Sequence, residues 1–371
     1  MTLPGCSNVE TNMFVFTRGP RARNRTGGRR AAELRPIEII GGGLAGLSLG
    51  VALRRGGVPV TLHEAGDYPR HRVCGEFITG LDSSTIDRLG LAPLLADALR
   101  HAEVAWTIGE AEPHIQRLPA PALGLSRHEL DARLARVFVS LGGELIIRSR
   151  ITDTASPAGR VFASGRRRSA DGRWIGLKVH VRGLSLIRDL EMHLGRQCYV
   201  GLTRIGNDAV NVCGLFARRP IRGRDVSLLL DYLRAAGLQS LSLRLSRADV
   251  EADSFCAVAA LGFDRRCDAR DGVRLGDAAA MIPPFTGNGM AMAFQSAEIA
   301  LPVLIAYARH ELEWADACRV TRMVLRRRFR LRLASAGALH PFLLRPHPQR
   351  WFALLGRARL LPFGRIYAAL H

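Results

Sequence analysis

A cluster of glycines near residue 41 constrains the fold of this chain more than any other feature. The run Gly41 to Gly46 has the spacing GxGxxG and directly follows the apolar stretch 36–40. Residues 44–55 then have helical character, and residues 58–64 alternate between apolar and polar side chains as a strand does. The sequence therefore predicts a strand–helix–strand unit of about 30 residues, the minimal half of a nucleotide-binding domain.

Each glycine has a physical role in such a unit. Gly41 permits the tight turn, Gly43 lets a pyrophosphate approach the backbone, and Gly46 lets the helix pack closely on the strand. The helix start offers free N–H groups and the positive end of its dipole to an anion. Glu64 lies 18 residues after Gly46, where a carboxylate accepts hydrogen bonds from ribose hydroxyls. This context predicts dinucleotide binding, and the acid favours FAD or NAD over NADP.

A second glycine-containing loop lies far along the chain, at residues 274–290. A strand that ends in Gly276 and Asp277 leads through a proline-rich loop to the turn 287–289, which opens a helix over residues 290–307. Asp277 is placed to bond a polyol chain, and the N–H groups at the helix start suit an anionic pyrimidine ring. We interpret the two loops as parts of one cofactor site.

Between these loops the sequence has the alternating apolar and polar pattern of an antiparallel sheet. Residues 174–182 alternate between an apolar and a polar face, and turns separate further strands at 190–194, 197–205 and 209–216. From residue 311 the pattern is that of basic amphipathic helices. A chain of 371 residues is long enough for two domains or for one large discontinuous domain.

The positive charge is concentrated at the two ends of the chain. The formal net charge is +20, yet residues 1–35 hold seven arginines and two glutamates, and residues 322–371 hold eleven arginines and no acidic residue. The C-terminal pattern suits peripheral contact with an anionic membrane surface, and the alternative is a helical cap whose arginines are solvated. Nucleic-acid binding is not favoured, because no recognisable module accompanies the charge.

Cysteine usage and hydropathy favour a cytoplasmic protein. The seven cysteines include no CxxC pair and no zinc-type spacing, so we expect free thiols and no metal site. The longest apolar run, Ile299 to Ala308, contains Pro302 and is short of the ~18 residues that span a bilayer. No secretory signal is visible. We expect a cytoplasmic location, with membrane-peripheral attachment as the open alternative.

Three groups of residues together resemble one superfamily of flavoproteins. They are the GxGxxG run with Glu64, the segment 68–77 (YPRHRVCGEF) and the loop 276–290. In this order and spacing they are similar to the FAD-dependent oxidoreductases that include the aromatic hydroxylases (flavoprotein monooxygenases) and the geranylgeranyl reductases. The geranylgeranyl reductase-like branch is the most similar, also through residues 174–180, 198–202 and 211–213. The resemblance covers about residues 36–310.

The resemblance implies FAD as the bound cofactor and NAD(P)H as a transient reductant. A departure is that Ser164 stands where the family usually carries an aspartate. The residues that the resemblance and the motifs assign to cofactor binding are Gly41, Gly43, Ala45, Gly46, Glu64, Arg72, Arg127, Gly276, Asp277, Gly287, Asn288, Gly289 and Met290.

Three residues are candidates for a catalytic role. The family places the segment that contains Cys74 close to the flavin, but a buried, inert thiol is the alternative. His180 and Tyr199 lie on strands of the sheet that covers the flavin in the family, where each could orient substrate or move a proton. For both, the alternative is a hydrogen-bonded residue of the sheet.

The predicted fold class is α/β. It consists of a discontinuous Rossmann-like FAD-binding domain, an antiparallel β-sheet substrate domain and a helical C-terminal cap. We assign residues 36–78, 119–170 and 270–310 to the FAD-binding domain and residues 79–118 and 171–269 to the substrate domain. Residues 1–35 are expected to form a disordered basic arm, and residues 311–371 a basic helical region.

The predicted activity is that of an FAD-dependent oxidoreductase, a monooxygenase or a geranylgeranyl reductase-like enzyme, that uses NAD(P)H. The resemblance implies a hydrophobic substrate such as an isoprenoid, a quinone precursor or a polyketide, and leaves hydroxylation and C=C reduction both open. The alternative is a non-catalytic or decayed flavoprotein whose basic ends bind an anionic membrane surface. Ser164, the basic ends and the segment 151–161, which is short compared with the family, motivate this alternative.

Overall fold

The computed structural model describes residues 33–153, 155–166, 172–263, 272–358, 360 and 362–371. Residues 1–32 of the expected basic arm therefore lie outside the described residues. Arg35, its last residue, packs on the protein: its backbone N–H donates to the Ala308 carbonyl at 2.9 Å, and its guanidinium lies 5.0 Å from the ring centroid of Tyr307.

The described residues form two sheets and a set of helices. The strands are β1 (Ile37–Ile40), β2 (Val60–His63), β3 (Phe77–Ile78), β4 (Leu99–Ile108), β5 (His114–Gly124), β6 (Glu144–Ile146), β7 (Arg160–Phe162), β8 (Trp174–Arg182), β9 (Leu190–Gly195), β10 (Cys198–Gly206), β11 (Ala209–Ala217), β12 (Asp249–Leu261) and β13 (Val273–Arg274). The α-helices are α1 (Leu44–Arg55), α2 (Ser83–Leu89), α3 (Arg127–Ser140), α4 (Val226–Ala235), α5 (Gln239–Ser246), α6 (Gly289–Ala308), α7 (Trp314–Leu344), α8 (Pro346–Arg357) and α9 (Phe363–Leu370).

The first sheet is parallel and carries the nucleotide-binding unit. Its order is β13–β7–β1–β2–β6, and β1 pairs in parallel with both β2 and β7. Ile37 and Ile39 of β1 are fully buried, as expected for a strand that is covered on both faces. Helix α1 packs against α3 and α6, so the glycine turn at its start lies in the middle of this layer.

The second sheet is larger and mostly antiparallel. Its order is β12–β8–β11–β10–β9–β4–β5–β3, with one parallel pair between β4 and β9. One face packs on α4 and α5 through an apolar cluster that includes Val179, Val200 and Leu229. The opposite face belongs to the main core. The α/β fold class, with a parallel sheet, an antiparallel sheet and C-terminal helices, is therefore confirmed.

The domain limits that we predicted do not all coincide with element ends. The limit at residue 119 falls inside β5, because this strand continues to Gly124. Helix α2, assigned to the substrate domain, packs on α1 and α6, and its Thr85 hydroxyl donates to Glu298 at 2.6 Å. The limits near 170 and 270 adjoin residues 167–171 and 264–271, outside the described range. Leu34–His371 cluster as one compact unit.

Helix α6 is the one helix in the described part of the chain that is long and apolar enough to cross a membrane. Half of its 18-residue apolar window is buried inside the protein, and the helix contacts both α1 and α7. These contacts place α6 among the core helices of the described part of the chain.

Candidate cofactor and substrate site

The glycine turn before α1 combines tight packing with open space. Gly41 has φ +111°, and a Cβ atom there would lie 2.3 Å from the Ala163 carbonyl oxygen. A Cβ atom on Gly46 would lie 2.0 Å from the Gly41 carbonyl oxygen. At Gly43, by contrast, a Cβ atom would meet no described atom within 4 Å, and no described side chain caps α1. The helix N-terminus therefore faces a space that suits a phosphate group.

Glu64 and Arg72 lie beside this space. Glu64 is 5% exposed and accepts hydrogen bonds from the backbone N–H groups of Gly42 and Gly66, both at 2.9 Å. Arg72 Nη2 lies 3.4 Å from Glu64 Oε2. This nitrogen is buried and has no hydrogen-bond partner among the described residues. A buried guanidinium nitrogen without an acceptor suits an anionic oxygen such as that of a pyrophosphate.

Asp131 holds two arginines of the site together. Its carboxylate, which is 1% exposed, accepts hydrogen bonds from Arg127 Nε and Nη2, both at 2.8 Å, and from Arg72 Nε at 3.1 Å. Burial alone would lower the pKa of Arg127, but the Asp131 carboxylate outweighs it and raises this pKa. The Asp131 carboxylate thereby fixes both guanidinium groups in position.

The two glycine loops, distant in sequence, meet in the structure. A Cβ atom on Gly276 would lie 3.2 Å from the Cβ atom of Ala45, and the Gly276 N–H donates to Ser296 Oγ at 2.9 Å. The neighbouring Asp277 is exposed to solvent, but protein lies on most sides of its carboxyl group. This enclosure raises the pKa of its carboxyl, against the opposing effect of the Arg127 charge.

The start of α6, like the start of α1, has no side-chain cap and has open space beside a glycine. Gly287 has φ +68°, and a Cβ atom on Gly289 would meet no described atom within 4 Å. Asn288 is fully buried and its Nδ2 donates to the Leu370 carbonyl at 2.7 Å. The Met290 side chain is buried in the core, so only its backbone faces the start of the helix. The chain thus brings two uncapped helix ends, Asp277 and the arginines to one region.

A cluster of buried charges lies on the adjoining face of the second sheet. Lys178 and Glu76 are both fully buried, with Nζ and Oε1 3.6 Å apart. His180 Nε2 lies 2.6 Å from Glu76 Oε2, and Lys178 Nζ lies 3.0 Å from His71 Nδ1. The backbone N–H of Arg127 donates to Glu76 Oε1 at 3.0 Å. The cluster therefore adjoins the cofactor region directly.

The same cluster has other marks of a functional site. Glu76 has φ +54°, a strained backbone conformation for a non-glycine residue. Burial would raise the pKa of Glu76, but the His180 hydrogen bond and the Lys178 charge outweigh it and lower this pKa. Burial and the Lys178 charge lower the pKa of His71 to about 4. At neutral pH, Glu76 is therefore a carboxylate and His71 is neutral.

Two candidates from the sequence, Cys74 and His180, lie at this cluster. Cys74 Sγ accepts a hydrogen bond from the Glu76 N–H at 3.4 Å, and burial raises the pKa of its thiol. His180 is 3% exposed, and its Nδ1 lies 3.6 Å from Glu251 Oε2, on the side away from Glu76. The thiol is therefore neutral at pH 7, and the imidazole is held between two carboxylates.

The third candidate, Tyr199, lies in a different environment. Its ring packs edge-on against Phe285 at 6.0 Å and His340 at 5.8 Å, measured between centroids, and its hydroxyl is 3.4 Å from His340 Nε2. Burial raises the pKa of Tyr199 well above its usual value and lowers the pKa of His340 to about 4. Tyr199 is therefore a protonated phenol beside a neutral imidazole.

The sequence analysis did not single out Lys178 and Glu76. A signal for Lys178 existed, because it is the only lysine among 53 basic residues. An ammonium group differs from a guanidinium in its compact shape and its readily shifted pKa, so a single buried lysine in an arginine-rich chain indicates a requirement for that group. Glu76 lacked a comparable signal, because its contacts come from a distant strand.

An apolar cavity of about 100 Å³ lies next to the loop that opens α6. The Thr79 hydroxyl donates to the Thr286 carbonyl at 3.1 Å and fixes one end of the cavity wall. Side chains from the second sheet and from the C-terminal helices provide the rest of the lining: Phe77, Val104, Trp106, Leu118, Leu190, Glu191, Met192, Leu202, Thr203, Phe285, Leu339, Leu343, Phe352, Phe363, Ile366, Tyr367, Leu370 and His371.

Three polar atoms of residues in this lining are buried and have no hydrogen-bond partner among the described residues: Trp106 Nε1, Tyr367 Oη and His371 Nε2. The rings of Tyr367 and His371 are stacked 3.8 Å apart. His371 Nδ1 lies 2.7 Å from the Tyr367 carbonyl and must donate to it, so Nε2 is an acceptor when the ring is neutral. The cavity thus suits a mainly apolar molecule with a few hydrogen-bonding groups.

Metal ligation is not evident in this region. Within the described ranges no group of three or more His, Cys, Asp or Glu side chains could hold a metal ion. The five cysteines that the structure describes as free are Cys74, Cys198, Cys213, Cys256 and Cys318.

With this geometry in place, the chain can be compared with solved structures, and its fold is that of FAD-dependent oxidoreductases. A flavin-dependent brominase has a TM-score of 0.71 at 17% identity, over 90% of this chain and 92% of its own. PqsL from Pseudomonas aeruginosa, solved with 2-aminobenzoylacetate, scores 0.67 at 15% identity, over 84% and 97%. A geranylgeranyl bacteriochlorophyll reductase-like protein from Thermoplasma acidophilum scores 0.65 at 17% identity, over 83% and 87%.

Curated relatives match a shorter part of the chain. A menaquinone reductase from Mycolicibacterium smegmatis is 28% identical over 132 residues, which are 34% of this chain and 32% of that protein. A menaquinone reductase from Mycobacterium tuberculosis is 26% identical over 165 residues, which are 43% and 40%. The matches therefore span between a third and two fifths of the relatives' length. No family model matches the chain. The resemblance to FAD-dependent oxidoreductases is confirmed at the level of the fold.

Proposed function

We propose that this protein is an FAD-dependent oxidoreductase that takes electrons from NAD(P)H and acts on a hydrophobic small molecule. The observation that carries the proposal is the apolar cavity, whose wall includes Phe285 and Thr286 of the loop that opens α6. A substrate in the cavity would therefore lie next to the region where the glycine loops meet. Because the curated relatives are named menaquinone reductases, a quinone is the first substrate class to test, before other isoprenoids or polyketides.

The residues of the site fit FAD. We propose that Glu64 binds the adenosine ribose, that the start of α1 and Arg72 bind the pyrophosphate, and that Asp277 binds the ribityl chain. The start of α6 at Gly289 would lie under the pyrimidine edge. The open space at both helix ends and the unpartnered Arg72 Nη2 support this assignment. FAD, when bound, supplies the hydride and electron transfer.

The protein's own residues would orient the substrate and control protons. The apolar lining excludes water from the cavity. Of the three candidates, we propose Tyr199 as the group that orients the substrate: its ring packs on Phe285 of the cavity wall, and its raised pKa keeps the phenol protonated as a hydrogen-bond donor. We propose His180 as a positioning residue that fixes Glu76, and Cys74 as a packing residue whose neutral thiol is unsuited to nucleophilic attack.

The test is an absorbance spectrum of the purified protein, followed by anaerobic NADPH and then by air or a quinone. Flavin bands that bleach with NADPH and return with the acceptor would support the proposal. Product analysis then separates hydroxylation from reduction of a quinone or a C=C bond. A protein that cannot be reconstituted with FAD would contradict it. A protein that binds FAD but is not reduced would favour the alternative, a non-catalytic flavoprotein.

We also propose that the protein is cytoplasmic and contacts an anionic membrane peripherally through residues 322–371. The absence of acidic residues from this segment supports the proposal.

A further inference from the structure

The long helix α7 carries an apolar stripe that no described element covers. Val324, Leu331 and Phe342 are 37%, 67% and 56% exposed. They are spaced by 7 and 11 residues, which are close to whole numbers of helical turns, so they share one side of the helix. The buried residues of α7, such as Leu325, Phe329 and Leu333, lie on its other side. The exposed stripe is therefore distinct from the face that packs on the core.

The next helix, α8, continues this surface. Trp351, Leu354 and Leu355 are 67%, 56% and 41% exposed, and their spacing of three and four residues places them on one face. The opposite face is anchored inside: Gln349 Nε2 donates to the Gly195 carbonyl at 2.9 Å, and Phe352 packs against Trp106. Helix α8 thus has an inner face in the protein and an outer apolar face.

Arginines flank both apolar faces. Arg327 and Arg350 are exposed beside Leu331 and Leu354 respectively. The segment 322–371 contains eleven arginines and no acidic residue. Apolar groups for insertion, bordered by arginines for phosphate contact, are the composition of a helix that lies in the interface of an anionic membrane. The charge argues for a bilayer rather than for an uncharged apolar partner.

Only the thickness of helix α8 separates its outer face from the apolar cavity. Phe352 lines the cavity, and its neighbour Trp351 is exposed on the outside. The helix packs on β4 and β5, and its contacts hold it over the cavity wall. An apolar molecule that leaves a bilayer at this face would have only this helix between it and the cavity lining.

We propose that α7 and α8 dock this protein on an anionic phospholipid bilayer and that the substrate enters the cavity from the lipid beside α8. The docking surface consists of Val324, Leu331, Phe342, Trp351, Leu354 and Leu355. The route of entry rests on the function proposed above, whereas the docking does not, because it requires neither flavin nor turnover.

The experiment is co-flotation of the full chain with vesicles. One set contains phosphatidylcholine alone, and the other contains in addition about one third phosphatidylglycerol. Binding is expected only with the anionic set and is expected to fall with added salt. The double variant R327Q/R350Q should weaken binding by roughly thirty-fold, at ~1 kcal/mol for each arginine. The variant W351S should weaken it by about tenfold or more.

The matched control is R222Q/R224Q. These arginines are exposed, and the loop that holds them leads into α4, which packs on the other face of the second sheet. This control removes the same charge elsewhere and should bind vesicles as the parent does. Equal losses in the two double variants would overturn the proposal, because net charge alone would then explain binding. A dimer in sedimentation that W351S dissociates would also overturn it, because a second copy would then cover this face.

The route of entry has its own readout. If the proposed activity is present, W351S should lose turnover of a long-chain menaquinone embedded in anionic vesicles and keep turnover of a water-soluble naphthoquinone without a side chain. Equal effects on both substrates would overturn the route and leave the docking result standing. If neither substrate is turned over by the parent protein, the proposed function fails, and flotation still decides the docking.

Discussion

Replacing Lys178 by methionine tests whether the Lys178 ammonium compensates the charge of the buried Glu76 carboxylate, as the structure indicates. The ammonium lies 3.6 Å from Glu76 Oε1 with both side chains fully buried. At an effective dielectric constant of about 20, this distance corresponds to ~4.6 kcal/mol of attraction. Glu76 retains hydrogen bonds from His180 and from the Arg127 N–H, so we expect a net loss of about 3 kcal/mol in unfolding free energy. Urea unfolding at pH 7 measures it.

Two further variants make this prediction specific. The double variant K178M/E76Q removes both charges and should recover most of the loss, because no unpaired carboxylate remains buried. The variant K178R keeps the charge but forces a larger group into a fully buried position, and we expect it to cost about 1–3 kcal/mol.

The pH dependence of K178M gives an independent check. The pKa of Glu76 is lowered in the native protein, so its contribution is present at neutral pH and is lost as the pH falls through that pKa. Without the Lys178 charge this pKa rises, so on acidification Glu76 is protonated at a higher pH in K178M than in the parent. The stability deficit of K178M should therefore shrink on acidification. A deficit below about 0.5 kcal/mol at pH 7 would refute the reasoning, and so would a deficit that grows on acidification.

Four other variants follow from the site geometry. G43A should keep the parent's stability, because its methyl group enters open space, and should lose FAD binding, measured by flavin fluorescence. G46A should instead lose more than about 2 kcal/mol of unfolding free energy, because its methyl group clashes with the backbone. Burial alone would raise the pKa of Glu191, but its hydrogen bonds with His193 and Arg244 outweigh burial and lower this pKa to about 2. The variant E191Q should therefore be less stable than the parent by roughly 3 kcal/mol at pH 7. This deficit should decline below about pH 4.5, and a pH-independent deficit would contradict the assignment. Y199F should fold normally and, if the phenol orients the substrate by a hydrogen bond, lower turnover by roughly tenfold; unchanged turnover would assign it to packing.

The nucleotide-binding unit could be predicted from sequence almost to the residue. Helix α1 begins and ends where the pattern places it, at Leu44 and Arg55, because the glycine turn and the local apolar period together fix both ends. Helix α3 likewise begins at Arg127 after its Ser126 cap. The strands β8 to β11 were also predicted, since their alternation and the turns between them are local features.

Other elements depend on contacts that are distant in sequence. Strands β4 and β5 were not predicted, since their pattern of exposed and buried residues is irregular, and β12 carries several polar residues at the edge of its sheet. The Lys178–Glu76 contact joins residues 102 positions apart. The C-terminal arginines predicted a surface role for this region. Its contribution to the cavity lining could not be predicted, because it depends on how α8 and α9 fold back over the second sheet.

The origin of the cavity wall has a consequence for how such an enzyme can change during evolution. The glycine loops, Glu64 and Asp277 precede residue 290, whereas a large part of the wall comes from residues 339–371. Mutations in these last helices can therefore reshape what the cavity admits without altering the motifs that we assign to the cofactor. If the proposed function holds, part of the substrate choice is encoded apart from the cofactor motifs, so exchange of the C-terminal helices between relatives is a direct way to alter specificity.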